Sequence, residues 1–464
     1  MNHTTKMSTR DMLSIIAAAM MAFIGVLIET SMNVTFPTLI QQFHVDMSMV
    51  QWVTTGYLLV VSLIIVCSSY IKGRFKERHI FMAGVVFSII GDLACALAPG
   101  FIVLLIGRLI QAIGTGIVLP LLFNIILERA PIQKRGFFMG LGGLIVSMAP
   151  ALGPTFGGLI VNFTSWRYIF WVVLPLMIII FFLGFSIEQI TPLIQQKFDW
   201  FRLILLAITF ISLTLGFNTV SQFGWLNLRL GISLIITAMA LFLFIKVSNH
   251  STRVLIDISI FKNPILTLGL IAYVIIQFTN ISVNFILPNY AQIAAHSTAM
   301  IGGLILLPGS LISGLLNPVW GRMYDSLGAK KPILTGNSLF FLAIVLFAVF
   351  SLKLSPIMIV VYYLLFEIGV NMALPNTMTY ALTIIGPEKE ADANAIFNTL
   401  QQFGGSIGTV IASSFLASGH GNNAAAVMQS GTQHAMIFFG VLVLFNFFLY
   451  HYTFKLGHQV MPNL

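Results

Sequence analysis

Charge is scarce in this chain. Asp, Glu, Lys and Arg make up 8% of its 464 residues and hydrophobic residues 58%, where soluble domains carry roughly 25% charged residues. That scarcity excludes a solvated globular domain, and with it the aqueous basic face that nucleic-acid binding needs. Cysteine is scarcer still. Cys67 and Cys95 both fall inside apolar runs, which leaves no disulfide framework and no redox pair to expect. The nine histidines lie mostly at loops and termini, without metal-ligand spacing. No Gly-Lys-Ser/Thr phosphate loop occurs, so ATP as a direct energy source has no support. No metal or other cofactor is expected, and an intramembrane enzyme lacks the clustered catalytic side chains it would need.

What the chain has instead is length in apolar runs. Runs of about 18 or more apolar residues, enough to cross a bilayer, occur near 12–38, 51–71, 79–98, 101–127, 137–161, 167–186, 201–220, 225–247, 264–288, 299–320, 332–352, 356–385, 394–418 and 433–455. Fourteen spans make an all-α polytopic membrane protein. The first run is too long for a signal peptide and lacks a small-residue cleavage site before Pro37. Of the 23 lysines and arginines, nineteen fall on one side of this pattern. Arg167, Arg229 and Lys353 fall on the other, and Arg108 lies inside a span. The positive-inside rule then puts both termini in the cytoplasm. It also assigns the net charge of +9 to cytoplasmic loops that meet anionic lipid.

A weak repeat divides the chain. The loop after the tenth span, Gly321-Arg322-Met323-Tyr324-Asp325-Ser326-Leu327-Gly328-Ala329-Lys330-Lys331, corresponds to Ser69-Tyr70-Ile71-Lys72-Gly73-Arg74-Phe75-Lys76-Glu77-Arg78 after the second. Repeats of this kind mark secondary transporters, with the binding site between the halves. The spacing gives 1–195 as an N-terminal six-helix bundle, 196–260 as two inserted spans with a linker, and 261–464 as a C-terminal six-helix bundle.

Charges inside apolar spans are costly and read by default as functional. Glu29, Asp92, Arg108 and Glu367 are such charges. Arg108 and Gln111 stand three apart, on one helical face. Glu367 is about eleven residues into its span, roughly 16 Å at 1.5 Å per residue, near the bilayer midplane. Asn371 and Pro375 continue its face at steps of four. A carboxylate at that depth among aromatic rings suits a lipophilic cation. Gln277, Asn280 and Asn284, before Pro288, form a second polar stripe that either lines a cavity or bonds between helices. Each charge also has a structural reading, as half of an ion pair stapling two helices. For Asp92 the two readings stand equal.

The most distinctive stretch is Ala149-Pro150-Ala151-Leu152-Gly153-Pro154-Thr155-Phe156-Gly157-Gly158, followed by Trp166-Arg167-Tyr168-Ile169-Phe170. Glycine costs a helix about 1 kcal/mol and proline about 3, so two prolines and three glycines in one span suit close packing, not lipid contact. This stretch resembles the antiporter motif in the fifth helix of exporters of the major facilitator superfamily. Arg108-Leu109-Ile110-Gln111-Ala112 is similar to that family's Arg-x-x-Gln-Gly motif, with Ala112 in place of glycine. Asn33 and Pro37 match its first-helix pattern, where the acid sits one residue earlier than Glu29. The loop copies resemble Gly-x-Leu-x-Asp-Arg-x-Gly-Arg-Arg, well at Gly321, Asp325, Gly328 and Lys330 and less well in the first copy.

The fourteen-helix count is similar to the drug:proton antiporter group of the family. The resemblance implies a major facilitator fold of six, two and six helices, and proton-coupled efflux of lipophilic, often cationic drugs by alternating access. It implies proton coupling at Glu29, Asp92, Arg108 and Glu367, and substrate contact at Glu367, Asn33, Gln111, Gln277, Asn280, Asn284 and Asn371. Gating falls to Arg74 paired with Glu128, to Asp325 and Gly328, and to Pro150, Gly153, Pro154, Gly157 and Gly158. The expected partners are small amphipathic molecules, protons and membrane lipids, with a monomer as the expected state. Short loops throughout fit a bacterial cytoplasmic membrane. A dedicated exporter of one metabolite, lipid or peptide is the alternative on the same fold; a passive channel fits the antiporter motif poorly.

Overall fold

The computed structural model describes residues 8–131, 134–190, 193, 198–249, 255, 258–385 and 389–460. The expected boundary at 195–196 lies outside them. The described residues contain no strand. Their helices are α1 (Thr9–Phe43), α2 (Met47–Val50), α3 (Trp52–Arg74), α4 (Glu77–Ala96), α5 (Phe101–Arg129), α6 (Arg135–Phe163), α7 (Tyr168–Leu183), α8 (Trp200–Asn218), α9 (Val220–Phe223), α10 (Leu228–Ser248), α11 (Pro264–Ile293), α12 (Ala299–Leu304), α13 (Leu307–Leu315), α14 (Asn317–Leu327), α15 (Lys330–Phe350), α16 (Pro356–Ile385), α17 (Glu390–Ala417) and α18 (Ala424–Val460). In a bilayer, backbone polar groups have no water to turn to, so helices are the only open-ended solution. Polar side chains stop them where water returns. Ser8, Asp46, Asn227, Asn263 and Thr298 each accept a backbone N–H from the first turn that follows.

Twelve of these helices are long and apolar enough to span a membrane, and a thirteenth span results if the bent stretch α12 to α14 is counted as one. The expected run 299–320 is thus broken, with a bend of 42° between α12–α13 and α14. Pro308 and Pro318 each open a new helix there, because proline cannot donate to the preceding turn. The expected run 394–418 is α17, 28 residues long, whose Asn, Gln, Ser and Gly content leaves it outside the apolar set.

Helices α1 and α3 to α7 pack on one another, as do α11 to α18, while α8 and α10 form a hairpin laid against α17 and α3. Phe210 of α8 stacks on Phe403 of α17 at 3.7 Å between ring centroids. The first group meets the second along α6–α12, α3–α17 and α1–α11. These contacts concentrate at the end holding the C-termini of α1 and α11, here the distal end. There Asn289 donates to the backbone oxygen of Asn33 (3.2 Å) and Gln292 to that of Val34 (2.9 Å). Pro37 lacks the N–H that would have bonded the Asn33 carbonyl, so the facing group of helices supplies it. Toward the proximal end the groups separate. There α14 buries no residue, and Phe137, Leu141 and Leu144 of α6 are exposed.

Candidate functional site

Two buried polar clusters occupy the interior, one in each group of helices. The first is built on α5. Arg108 is fully buried and donates to Gln111, whose amide in turn donates to Asp92 on α4. The Arg108 Nε donates to the Val53 carbonyl (3.3 Å), and the guanidinium lies over the Tyr57 ring, 4.1 Å from its centroid. Tyr57 itself donates to Thr115 (2.6 Å). Glu29 on α1, almost fully buried, stands within electrostatic reach of Arg108 and forms no hydrogen bond among the described residues. One cation therefore serves two carboxylates.

Asp92 lies in the core, where it accepts from the Gln111 amide. Gln111 and Asn33, the residues expected to touch substrate, are both buried and hydrogen-bonded within the protein. Gln111 uses both ends of its amide, and Asn33 accepts from Thr54 at 2.8 Å. Sequence reasoning missed Tyr57, since only the packing of α3 on α5 brings it to Arg108.

The second cluster centres on Glu367 of α16. Tyr363, one turn earlier, has its hydroxyl 2.8 Å from Glu367 Oε1 and 2.6 Å from Asn284 Oδ1 on α11. Asn371, one turn later, donates to Glu367 Oε2 (2.8 Å) and to Ser313 of α13 (3.1 Å). Ser310 lies 3.1 Å from the Tyr363 hydroxyl, and Asn284 donates to Asn280. Glu367 and Asn371 share one face of α16 and Asn280 and Asn284 one face of α11, and Tyr363 joins the two faces. Gln277 is buried on α11 and forms no hydrogen bond to the cluster among the described residues. Tyr363, Ser310 and Ser313 were missed. Tyr363 was legible, standing at the same four-residue step as Asn371, whereas the α13 serines carry no such signal. No Lys, Arg or His pairs with Glu367 among the described residues.

The glycine-proline stretch lies in α6 and does two packing jobs. Ser31 of α1 donates to the Gly153 carbonyl (2.8 Å), and a Cβ at Gly157 would stand 2.5 Å from the Ser31 carbonyl. On the other side, a Cβ at Gly158 would stand 2.5 Å from the Ala299 carbonyl of α12. Pro154 is buried at that crossing, while Pro150 is exposed.

At the proximal end the expected pairing changes. Glu128 bonds Lys72 at 2.6 Å, and Arg74 is exposed with no ion pair among the described residues. Two residues rotate a helix by about 200°, so Lys72 faces α5 where Arg74 cannot. Arg129 instead binds Glu77 and Asp11, each at 3.2 Å, a staple that sequence reasoning missed. Asp325 is exposed on α14 without an ion pair among the described residues. Gly328 ends that helix at φ 75°, a left-handed conformation that favours glycine.

The Major Facilitator Superfamily model matches residues 18–409 and, in an overlapping match, 269–457. The chain is 35% identical over 437 residues to the lincomycin resistance protein LmrB of Listeria monocytogenes, covering 91% of this chain and 93% of that one. It is 33% identical over 438 residues to LmrB of Bacillus subtilis, covering 91% of each. Its fold resembles the in meso crystal structure of the POT family transporter PepTSo, with a TM-score of 0.70, 14% identity, and coverage of 98% of this chain and 99% of that one. Twelve apolar helices, two polar clusters held between them, and a family match over most of the length agree: this multi-pass membrane protein belongs to the Major Facilitator Superfamily, as a transporter and not an enzyme.

Proposed function

We propose that this chain exports drug-like, often cationic compounds across the bacterial cytoplasmic membrane in exchange for protons. The observation that carries this reading is Glu367, buried in a cluster of neutral hydrogen-bonding groups with no cation beside it among the described residues. A buried carboxylate without a counter-charge is held at high cost unless it binds a proton or a cationic ligand. Two exclusive occupants of one carboxylate give exchange: the proton displaces the substrate and the substrate displaces the proton. Asn280, Asn284 and Asn371 act as its polar walls. The relatives named for lincomycin resistance support a drug as the cargo.

In the same reading α17 is a span despite its polar content, since it packs lengthwise on α3 and α11. With the bent stretch α12–α14 this makes fourteen spans, six, two and six, with both termini cytoplasmic. The proximal gap between the helix groups is then the cytoplasmic entrance, and the α6–α12 crossing is the outer gate. Glu29, Asp92 and Arg108 bias proton release as the groups rock.

Purified protein in lipid vesicles, loaded with ethidium or lincomycin, tests this. Efflux should follow an imposed proton gradient and stop when the gradient is collapsed, and Glu367→Gln should reduce cation export to the collapsed-gradient level. Full gradient-driven export by Glu367→Gln removes the residue from the scheme. Transport of a single compound from a broad panel favours the dedicated exporter instead.

A further inference from the structure

The hydrogens around Tyr363 do not balance with an ionised Glu367. The Tyr363 hydroxyl owns one hydrogen, yet it approaches two acceptors, Asn284 Oδ1 at 2.6 Å and Glu367 Oε1 at 2.8 Å. Oxygen atoms at such distances need a hydrogen between them. The orientation of Asn284 decides which contact receives it. Its Nδ2 lies 2.9 Å from the Asn280 backbone oxygen and 2.8 Å from Asn280 Oδ1. Turning the Asn284 amide over would set its oxygen against that backbone carbonyl, which has no hydrogen to give. Asn284 Oδ1 therefore faces Tyr363 and takes its hydrogen. The contact between Glu367 Oε1 and Tyr363 must then be bridged by a hydrogen belonging to Glu367.

We infer that Glu367 holds a proton in this distally closed state, and that the backbone carbonyl of Asn280, by orienting Asn284, imposes it through Tyr363, a positioning residue for that proton. The other contacts agree. A neutral carboxyl keeps one oxygen as an acceptor, and Glu367 Oε2 accepts from Asn371 at 2.8 Å. Ser310, 3.1 Å away, is free to donate to the Tyr363 oxygen. Tyr363 is fully buried and stacks on Phe366 at 5.8 Å, which fixes where its hydroxyl points. Around Glu367, α11 and α13 carry no acid, Lys, Arg or His. The described charged side chains of α14, α15 and α17, namely Arg322, Asp325, Lys330, Lys331 and Asp392, all lie at the proximal end. Among the described residues Tyr363 is thus the one titratable group that faces the carboxyl. Losing the proton requires the Tyr363 hydrogen to swing to Glu367 and leaves Asn284 Oδ1 unmet, so the hydrogen-bond pattern itself distinguishes the loaded from the unloaded carboxyl.

This inference rests on Glu367 being the coupling site, but it is tested without transport. Infrared spectroscopy of the full-length protein in lipid vesicles at about pH 7 should show a protonated-carboxyl band that Glu367→Gln removes and Asp92→Asn leaves in place. Asn284→Leu frees the Tyr363 hydrogen for the carboxylate, so the band should fall by about half or more at the same pH, the scale of one hydrogen bond in a dry site. Asn284→Ala, which likewise removes the competing acceptor, should lower it in the same direction if Asn284→Leu does not fold. A wild type without the Glu367-dependent band, or a band unmoved in a folded Asn284 variant, overturns the inference. A band that behaves as described in a protein that exports no drug leaves the inference standing and refutes only the transport reading.

Discussion

Gly303→Val is expected to abolish transport and to open the distal end of the protein. A Cβ at Gly303 would lie 2.1 Å from the Pro154 carbonyl oxygen and 2.7 Å from its carbon. Both are backbone atoms of α6 and cannot move aside as a flexible side chain would. The reciprocal position is equally tight, with a Cβ at Gly158 standing 2.5 Å from the Ala299 carbonyl and 3.3 Å from Gly303 Cα. These contacts join the two groups of helices, so a wedge between them opposes distal closure more than it opposes folding. Overpacking of this kind costs about 1–3 kcal/mol, which shifts a two-state equilibrium by roughly 5- to 150-fold.

The measurement is labelling of Thr155→Cys by a membrane-impermeant maleimide added outside. Thr155 is buried at the crossing and its hydroxyl donates to the Gly303 carbonyl at 3.4 Å. Both native cysteines are buried and stay silent. Gly303→Val should raise the labelling rate by roughly tenfold or more. Gly140→Val, where a Cβ meets nothing within 4 Å, should leave the rate unchanged. Unchanged labelling in Gly303→Val, with transport intact, would mean that the α6–α12 crossing does not gate.

That crossing shows how far the sequence reaches. The glycines and prolines of 150–158 announce close packing in a span because no other role repays their helix cost. They do not announce the partner. Gly153 and Gly157 meet α1, whereas Gly158 meets α12, more than a hundred residues away. Hydropathy located the spans because the bilayer demands length and apolarity, and it does not show how a run is built where these relax. The run at 299–320 breaks into α12, α13 and α14 at two prolines, and α17 is a long helix with a polar face.

Within the sites, same-helix relations were legible and cross-helix ones were not. Glu367 with Asn371, and Arg108 with Gln111, follow from helical steps. Tyr57, Ser310 and Ser313 enter only through packing. The exchange of Arg74 for Lys72 beside Glu128 is a failure of rotation, not of composition. Several basic residues crowd that loop, and the direction of each depends on where α3 ends.

Arg108→Met should be the most destabilising single change in the interior. Arg108 is completely buried, and its guanidinium is shared among Gln111, the Val53 carbonyl and the Tyr57 ring while its charge serves both Asp92 and Glu29. Removing one partner of a buried charged pair typically costs about 3–5 kcal/mol, because the other charge stays behind unpaired. Thermal unfolding in detergent and the folded yield from membranes should both fall sharply. Arg108→Lys should recover little, since an ammonium cannot lie flat on Tyr57 while donating to both Gln111 and Val53. Combining Arg108→Met with Asp92→Leu removes one carboxylate with its cation, and replacing a buried pair by apolar groups is often neutral, so part of the stability should return, with Glu29 still lacking its counter-charge. Transport then separates the two roles of Arg108. A stable double variant that binds drug but no longer responds to the proton gradient makes Arg108 part of the coupling machinery. One that pumps normally makes it a staple between α4 and α5, and leaves Glu367 as the site of exchange.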